Sequence, residues 1–396
     1  MNILIICERE NNPFIGGIEH VDYSLTREWL KAGSNVVWLS VRNSGAKIPY
    51  SPLADEYFMP DGNQADAQAN MELLFSLIEK YKIQIIVNQA TIRKDVVTLC
   101  YGAKMKLGVK LVSCFHFAPN VEYDIAKNNV FLFKDGFSVN ALLRNCYSFL
   151  SFYLYRGRKL KNKEKNVLQT ITSSSDIVVV ESERYIADFE KISGSKKFIA
   201  IHNAMDYVQV DGLPKKEKKI LYCARLEFGM KRFDRMLKIW KKIEALHKDW
   251  ELIVIGDGDY KSRFVEMARQ MQLARINFLG FANPKPYYES CPVICLTSTK
   301  EGSPMVVVEA MQYGCVPIAY DSFAALADVV DNGVTGYRIP PFNQSAYVQK
   351  LSQVMSDADL RKRMAENCMK VPGAFNAEII APKWLEMFER MISAGK

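Results

Sequence analysis

The chain has 396 residues, 49% of them hydrophobic and 24% charged, with a net charge of +8. Gly and Pro together fill only 36 positions, which excludes a fibrous or mostly disordered chain, and single cores stop growing near ~250–300 residues, so two domains are expected. Nine cysteines, an odd number scattered through apolar contexts, point to free thiols in a reducing cytoplasm and away from a disulfide framework.

In chain order, NILIIC (2–7) reads as a buried strand and not as a secretion signal, since no basic region precedes it. The loop ERENNPFIGG ends in Gly16 and Gly17, and Ile18, Val21, Leu25 and Trp29 then recur at helical spacing. Gly33 stops that helix ahead of the strand NVVWLS. The two glycines lie where a strand passes into a helix, and free N–H groups with the positive dipole end favour an anion there. The motif is not GxGxxG and no acid ends the next strand, which disfavours a dinucleotide and leaves a ligand-free turn open. QIIVN (84–88) and VKLVSCF (109–115) are strands around a helical stretch at 92–106, and DIVVVES (176–182) and KFIAIHN (197–203) close the half. Ile- and Val-rich runs between amphipathic helices predict a parallel sheet covered on both faces.

Residues from about 120 to 168 break this rhythm. Between Lys127 and Asn166 nine Lys/Arg stand against two acids, a net of +7, so the remainder of the chain is close to neutral. The uncharged run NCYSFLSFYLY (145–155) is only eleven residues long, whereas a bilayer needs about 20. Val139, Leu142, Leu143, Cys146, Leu150, Tyr153 and Leu154 fall on one helical stripe, and RGRKLKNKEK follows. An amphipathic segment with a basic end can lie in an anionic membrane interface. The alternative is a core helix with a solvated basic tail.

VDGLPKKEKK (210–219) joins turn chemistry to a charged run and reads as a linker. The alternation then restarts: ILYCARL (220–226), a long helix carrying Phe233, Met236, Leu237, Trp240 and Ile243, then WELIVIGDG (250–258), RINFLGF (275–281), PVICLTS (292–298), VPIAY (316–320) and TGYRI (335–339). Two doubly wound halves place a ligand at the carboxyl ends of their strands. Trp384, Met387, Phe388 and Met391 mark a last helix that could dock on either domain. Arg225 at a strand end and Lys231 six residues later could both reach an anion, although cations near helix ends are common on surfaces. Asp257 and Asp259 read as a turn, and Cys291 and Cys295 lack the partners of a zinc site. In KEGSPMVVVEAM, Ser303 is placed to cap a helix opened by Pro304, which puts Glu301 in the loop before it and Glu309 more than a turn inside. The amides of Ser303, Met305 and Val306 would then be free at the helix start, with a carboxylate on each side to accept hydrogen bonds from hydroxyls.

The stretch EGSPMVVVEAMQYGCVPIAY resembles the Glu, seven residues, Glu motif of retaining glycosyltransferases of family four, which have the GT-B fold. CARLEFGMKR, IVIGDG, INFLGF and VVDNGVTGYRIPP extend the likeness over the second half, and GGIEH and IHNAMD (201–206) fit in the first. The resemblance implies an α/β chain of two doubly wound Rossmann-like domains facing a central cleft. They would be an acceptor-side domain over 1–209 that includes the basic insert, a nucleotide-sugar-binding domain over 210–375, and a C-terminal helix over 376–396. It implies that Arg225 and Lys231 bind the donor diphosphate, helped by Gly16, Gly17 and the helix start at Ser303, Pro304, Met305 and Val306. Gly256, Gly280 and Phe281 would line the donor, Glu309 would hold the ribose hydroxyls, and Glu301 would contact the donor sugar near the reacting carbon. His116, in SCFHFAP, would face donor sugar and acceptor; a purely structural histidine is the alternative. Neither a metal nor a cofactor is implied beyond the donor itself, for which UDP is favoured by family frequency.

Three positions depart from the family pattern. Asn203-Ala204 replaces an Asn-Gly turn, Arg232 stands where Gly is more usual, and Phe117 follows His116 where an acid or Asn is often seen. The third bears on the acceptor. The expectation is a cytoplasmic enzyme, peripheral on the inner face of the plasma membrane through residues 139–165. It would move a hexose or N-acetylhexosamine, with retention, to a lipid-linked or saccharide acceptor in bacterial cell-surface polysaccharide biosynthesis. A nucleotide-sugar epimerase of related fold and a non-enzymatic membrane scaffold are the alternatives. Nucleic-acid binding is disfavoured, because no base-stacking aromatics accompany the +7 patch.

Overall fold

Residues Ile3 to Ile6 are wholly buried, as they must be in a strand covered on both faces. In the computed structural model, which describes residues 1–45, 48–130 and 139–394, that strand is an inner strand of a seven-stranded parallel sheet. The sheet contains β1 (Asn2–Arg9), β2 (Asn35–Arg42), β3 (Asp55–Phe58), β4 (Ile85–Asn88), β5 (Lys110–Phe115), β6 (Ile177–Val180) and β7 (Phe198–Ala200), in the order β3-β2-β1-β4-β5-β6-β7. A second parallel sheet follows, with β8 (Lys219–Cys223), β9 (Glu251–Ile255), β10 (Ile276–Gly280), β11 (Val293–Leu296), β12 (Val316–Tyr320) and β13 (Tyr337–Ile339), in the order β10-β9-β8-β11-β12-β13. Both orders reverse next to the first strand of the sheet, between β1 and β4 and between β8 and β11, which is the doubly wound pattern. The sequence reading missed β3, whose partly polar run DEYF pairs with β2 at the sheet edge and buries no apolar stretch.

The chain divides into two units, Met1–Pro119 with Lys161–Asp206 and Ala374–Lys396, and Asn120–Leu160 with Tyr207–Gly373. Two features of this division refine the expected domains. The closing helix Ala377–Ser393 joins the first unit, where Trp384 and Phe388 pack edge-on against Trp29 with ring centroids 5.9 and 5.6 Å apart. The insert, expected in the first domain, groups with the second unit over residues 120–160. Its helix Val121–Val130 is tied there by an ion pair between Asp124 and Lys300 at 2.9 Å, beside the loop that carries Glu301.

Phe152 is buried and its ring lies 5.3 Å from that of Tyr123 in the helix Val121–Val130, so the insert's long helical stretch has one anchored side. Its other side faces water. Leu143, Tyr147, Leu150 and Leu154, spaced by four, three and four, are 63, 75, 56 and 78% exposed. The apolar stripe is therefore not a core face. Lys134 and Asp135, and the side chains of Val139, Leu142 and Arg144, lie outside the described residues. Among the described residues no helix is long and apolar enough to cross a membrane.

Phe388 is wholly buried against Trp29, and Phe388→Ala should destabilise the first unit by about 3–5 kcal/mol through lost burial and the cavity left behind. Urea unfolding followed by tryptophan fluorescence measures this directly.

Candidate active site

The loop after β8 is fixed from several sides before it delivers its cations. Backbone bonds from Ala224 to Ile255 and from Leu226 to Asp257 bind it to the end of β9. Gly256 and Gly258 make that contact possible: both adopt positive φ, and a Cβ on Gly256 would sit 1.9 Å from the Ala224 carbonyl oxygen. The expected role of Gly256 in approaching a ligand is thus joined by a structural one, the seating of the segment that bears Arg225. Arg225 itself is exposed. Further on, the Tyr222 hydroxyl donates to the Lys231 carbonyl at 2.9 Å, and the Thr297 hydroxyl donates to the carbonyls of Lys231 and Arg232 at 3.2 and 3.0 Å. The Thr299 amide donates to the Met230 carbonyl at 2.6 Å.

These anchors bring Lys231 to the end of β11, at the switch point of the second sheet. Its ammonium donates to both oxygens of Glu301 at 2.6 Å, and the Ser298 hydroxyl donates to the same carboxylate at 2.6 Å. The Glu301 side chain is 6% exposed and that of Lys231 is 17%. A carboxylate so buried requires a cation within contact, and the pair joins the two residues assigned to diphosphate and sugar. The neighbouring Arg232 adopts a left-handed conformation, φ +52, which accounts for the usual glycine at this position. Its guanidinium is tied to Asp234 by two 2.8 Å bonds that hold the strained residue.

The helix after this loop is Met305–Met311, and Glu309 is its fifth residue. Tyr288, buried in the helix Lys285–Ser290, donates its hydroxyl to Glu309 Oε2 at 2.9 Å. Burial, then the Glu309 charge, pushes the Cys223 thiol up to about 12, with the Lys231 charge acting in the opposite direction. Both site residues are therefore felt at the carboxyl end of β8. Ser303 does not cap this helix as expected: Pro304 occupies the capping position without a side-chain bond, and the Ser303 hydroxyl turns to the Met305 sulfur at 3.4 Å. A proline at the boundary already removes one donor, so the Met305 and Val306 amides are those left without an intrahelical acceptor. At the end of β10, Gly280 has φ +73 and Phe281 is 71% exposed. Asp257 pairs with Lys261 at 3.0 Å, in keeping with a turn.

In the first unit, Gly16 precedes the helix Gly17–Lys31, and Gly17 has no atom within 4 Å of its would-be Cβ. The start of that helix already holds a negative charge, since Glu19 in its first turn is bound to Arg9 at 2.7 Å. An incoming phosphate would share the site with that carboxylate, a point against the simplest reading of the two glycines. His116 stands just beyond β5, with Nδ1 3.2 Å from Glu181 Oε1 and Nε2 2.6 Å from Gln89 Oε1. Burial alone would lower its pKa, but the Glu181 hydrogen bond and charge, with Asp22 and Glu19 behind, raise it above the ordinary value. Asp22, fully buried, is raised to about 7, chiefly by burial and against the lowering influence of His116. The Asn203 amide donates to Glu181 at 2.7 Å, which gives that position a role independent of a following glycine. Tyr288, Gln89, Asp22 and Glu181 belong to none of the motifs and were not found from the sequence.

Two doubly wound sheets with these loop ends define the GT-B architecture. Residues 205–371 match the family described as glycosyl transferases group 1. Among solved structures, sucrose-phosphate synthase from Thermosynechococcus elongatus is alike over the whole of both chains, with a TM-score of 0.77 and 16% identity. The lipopolysaccharide outer core galactosyltransferase WaaB gives 0.69 and 17% over 98% of this chain and 100% of that one. These likenesses concern the fold. The chain is 28% identical over 228 residues to the amylovoran biosynthesis glycosyltransferase AmsD of Erwinia amylovora, covering 57% of this chain and 59% of that protein. It is 24% identical over 232 residues to an uncharacterized glycosyltransferase of Haemophilus influenzae, covering 58% and 65%. It is also 23% identical over 190 residues to a Campylobacter jejuni alpha-1,4-N-acetyl-D-galactosaminyltransferase named for a PP-undecaprenol saccharide, covering 48% and 53%. The matches thus span between 53% and 65% of the length of these curated relatives.

The two glycine types make a paired test. A Cβ at position 256 meets backbone, whereas one at position 17 meets open space. Gly256→Ala should destabilise by about 1–3 kcal/mol or more, and Gly17→Ala should stay within about 0.5 kcal/mol, read as shifts in thermal midpoint.

Proposed function

We propose that this chain is a glycosyltransferase that moves a hexose or N-acetylhexosamine from a nucleotide diphosphate sugar, UDP-linked, to a saccharide or lipid-linked acceptor in the assembly of bacterial cell-surface polysaccharide. The observation that carries this reading is the Lys231–Glu301 pair at the switch point of the second sheet, flanked by Arg225 and Glu309, in a segment matching glycosyl transferases group 1. Arg225, Lys231 and the amides of Met305 and Val306 balance the negative charge that grows on the departing diphosphate, so the reaction calls for no metal ion. When that diphosphate arrives, Lys231 divides its hydrogen bonds between phosphate and Glu301, and the carboxylate accepts from a sugar hydroxyl. Glu309, steadied by Tyr288, accepts from the ribose hydroxyls. Retention of anomeric configuration is carried over from the family resemblance.

The acceptor is taken to be at a membrane. The exposed stripe Leu143, Tyr147, Leu150 and Leu154, followed by exposed Arg156, Arg158, Lys159, Lys161, Lys163 and Lys165, has the pairing of apolar and cationic surface that suits an anionic bilayer. This reading has the protein bind the inner face of the plasma membrane through residues 139–165. Two curated relatives, named for amylovoran biosynthesis and for a PP-undecaprenol saccharide, are consistent with it.

A thermal-shift panel of UDP, GDP, ADP and their sugars tests the donor, because a ligand of the folded state raises the midpoint. UDP and a UDP-sugar should raise it most; no shift with any nucleotide defeats the reading. Glu309→Ala should weaken donor binding about 10-fold or more through a lost charge-assisted hydrogen bond. Glu301→Ala should instead lower kcat about 100-fold by misplacing the sugar, and a loss of affinity alone in both variants contradicts these roles. Replacing the six cations at 156–165 by Gln should abolish binding to anionic liposomes, measured by co-sedimentation.

A further inference from the structure

With Glu181 ionised, the directions of the hydrogen bonds around His116 fix the charge of the ring. The Gln89 amide nitrogen donates to Asp22 Oδ1 at 2.5 Å, which turns the amide oxygen toward His116. That oxygen can only accept, so Nε2, 2.6 Å away, carries a hydrogen. On the other side of the ring, Glu181 Oε1 lies 3.2 Å from Nδ1 and also accepts from the Asn203 amide at 2.7 Å. An ionised carboxylate is acceptor-only, so Nδ1 carries a hydrogen as well. Two N–H groups make an imidazolium.

Burial leads to the same result by a separate route. Glu181 is 7% exposed, and among the described residues the cation it meets is His116. A buried carboxylate beside a neutral ring would bear an uncompensated charge, which is strongly unfavourable. The other charged or titratable groups facing the ring are Asp22 and Glu19, both from the helix Gly17–Lys31. Glu19 is already neutralised by Arg9, and Asp22 receives the Gln89 amide and the Cys7 thiol, the latter at 3.5 Å. Of these acids Glu181 alone is within hydrogen-bond reach of the ring, and among the described residues no other cation pairs with it.

We propose that Glu181 is a positioning residue that, with Gln89, holds His116 as an imidazolium with both ring nitrogens donated to the protein. In this arrangement His116 supplies a fixed positive charge and a fixed ring plane beyond β5, and it accepts no proton from a substrate hydroxyl. Glu181 lies outside every motif that carries the family likeness. The inference about the ring stands on the first unit alone, while its consequence for transfer rests on the reading that His116 serves the transferase reaction.

The test follows the ring directly. Nitrogen NMR titration of the four histidines, with His116 assigned by its absence in His116→Gln, reads the proton affinity without any substrate. In the unaltered protein His116 should titrate above the ordinary value of about 6.5, and in Glu181→Gln about one unit or more lower, a tenfold loss of proton affinity. Glu181→Asp, which keeps the charge, should recover most of that loss. The rate of transfer should fall as pH rises through the His116 value, and Glu181→Gln should move that alkaline limb to lower pH with donor KM little changed. A titration at or below the ordinary value in the unaltered protein overturns the proposal, whether or not the variants fold. So does a titration unchanged by Glu181→Gln. If the titrations behave as expected but no nucleotide sugar supports transfer, the pairing of Glu181 with His116 is upheld and the transferase reading fails.

Discussion

A carboxylate removed almost wholly from water must meet a cation, and the second unit is arranged around one such meeting, that of Glu301 with Lys231. The cation is brought there by backbone anchoring and not by the reach of a flexible side chain. Tyr222 and Thr297 hold the carbonyls of Lys231 and Arg232, Thr299 holds that of Met230, and Arg232 accepts a left-handed backbone to let the chain turn. The same economy governs Arg225, whose segment is seated against β9 by glycines that leave room for a neighbouring carbonyl. Preorganisation of this kind matters for chemistry on a phosphate, because charges already in place need not reorganise when the bond breaks.

The first unit meets the same electrostatic demand with a different cation. Glu181 faces an imidazole where Glu301 faces an ammonium. An ammonium keeps its charge throughout the physiological range, whereas an imidazolium stands near its own titration and depends on its neighbours to remain charged. The two carboxylates thus sit in similar burial but with partners of very different sensitivity to pH.

How much of this was legible in the sequence depends on what each residue answers to. Continuous Ile/Val runs answer to burial on both faces, so the central strands of both sheets read correctly, and the partly polar edge strand β3 did not. Lys231, Glu301 and Glu309 stand at fixed spacings around a strand end and a helix start, so a local motif can single them out. Helix starts were less secure: Ser303 has the right chemistry for a cap, yet the proline after it takes the position. Gln89, Glu181 and Asp22 come from distant parts of the chain and meet only through the parallel order of the first sheet, so no local spacing reveals them. The ion pair of Asp124 with Lys300 within the second unit likewise joins residues separated by more of the chain than any local pattern spans.

The docking of the helix Ala377–Ser393 on Trp29 also sets an order of events during synthesis. The first unit cannot close its aromatic core until residues 377–393 have been made, and by then every residue of the second sheet has emerged. Before those residues emerge, the second sheet can be native while the first unit still exposes Trp29 and the apolar face around it, the reverse of the usual N-terminal-first sequence. Whatever holds nascent chains in solution has to guard that face until residues 377–393 have emerged.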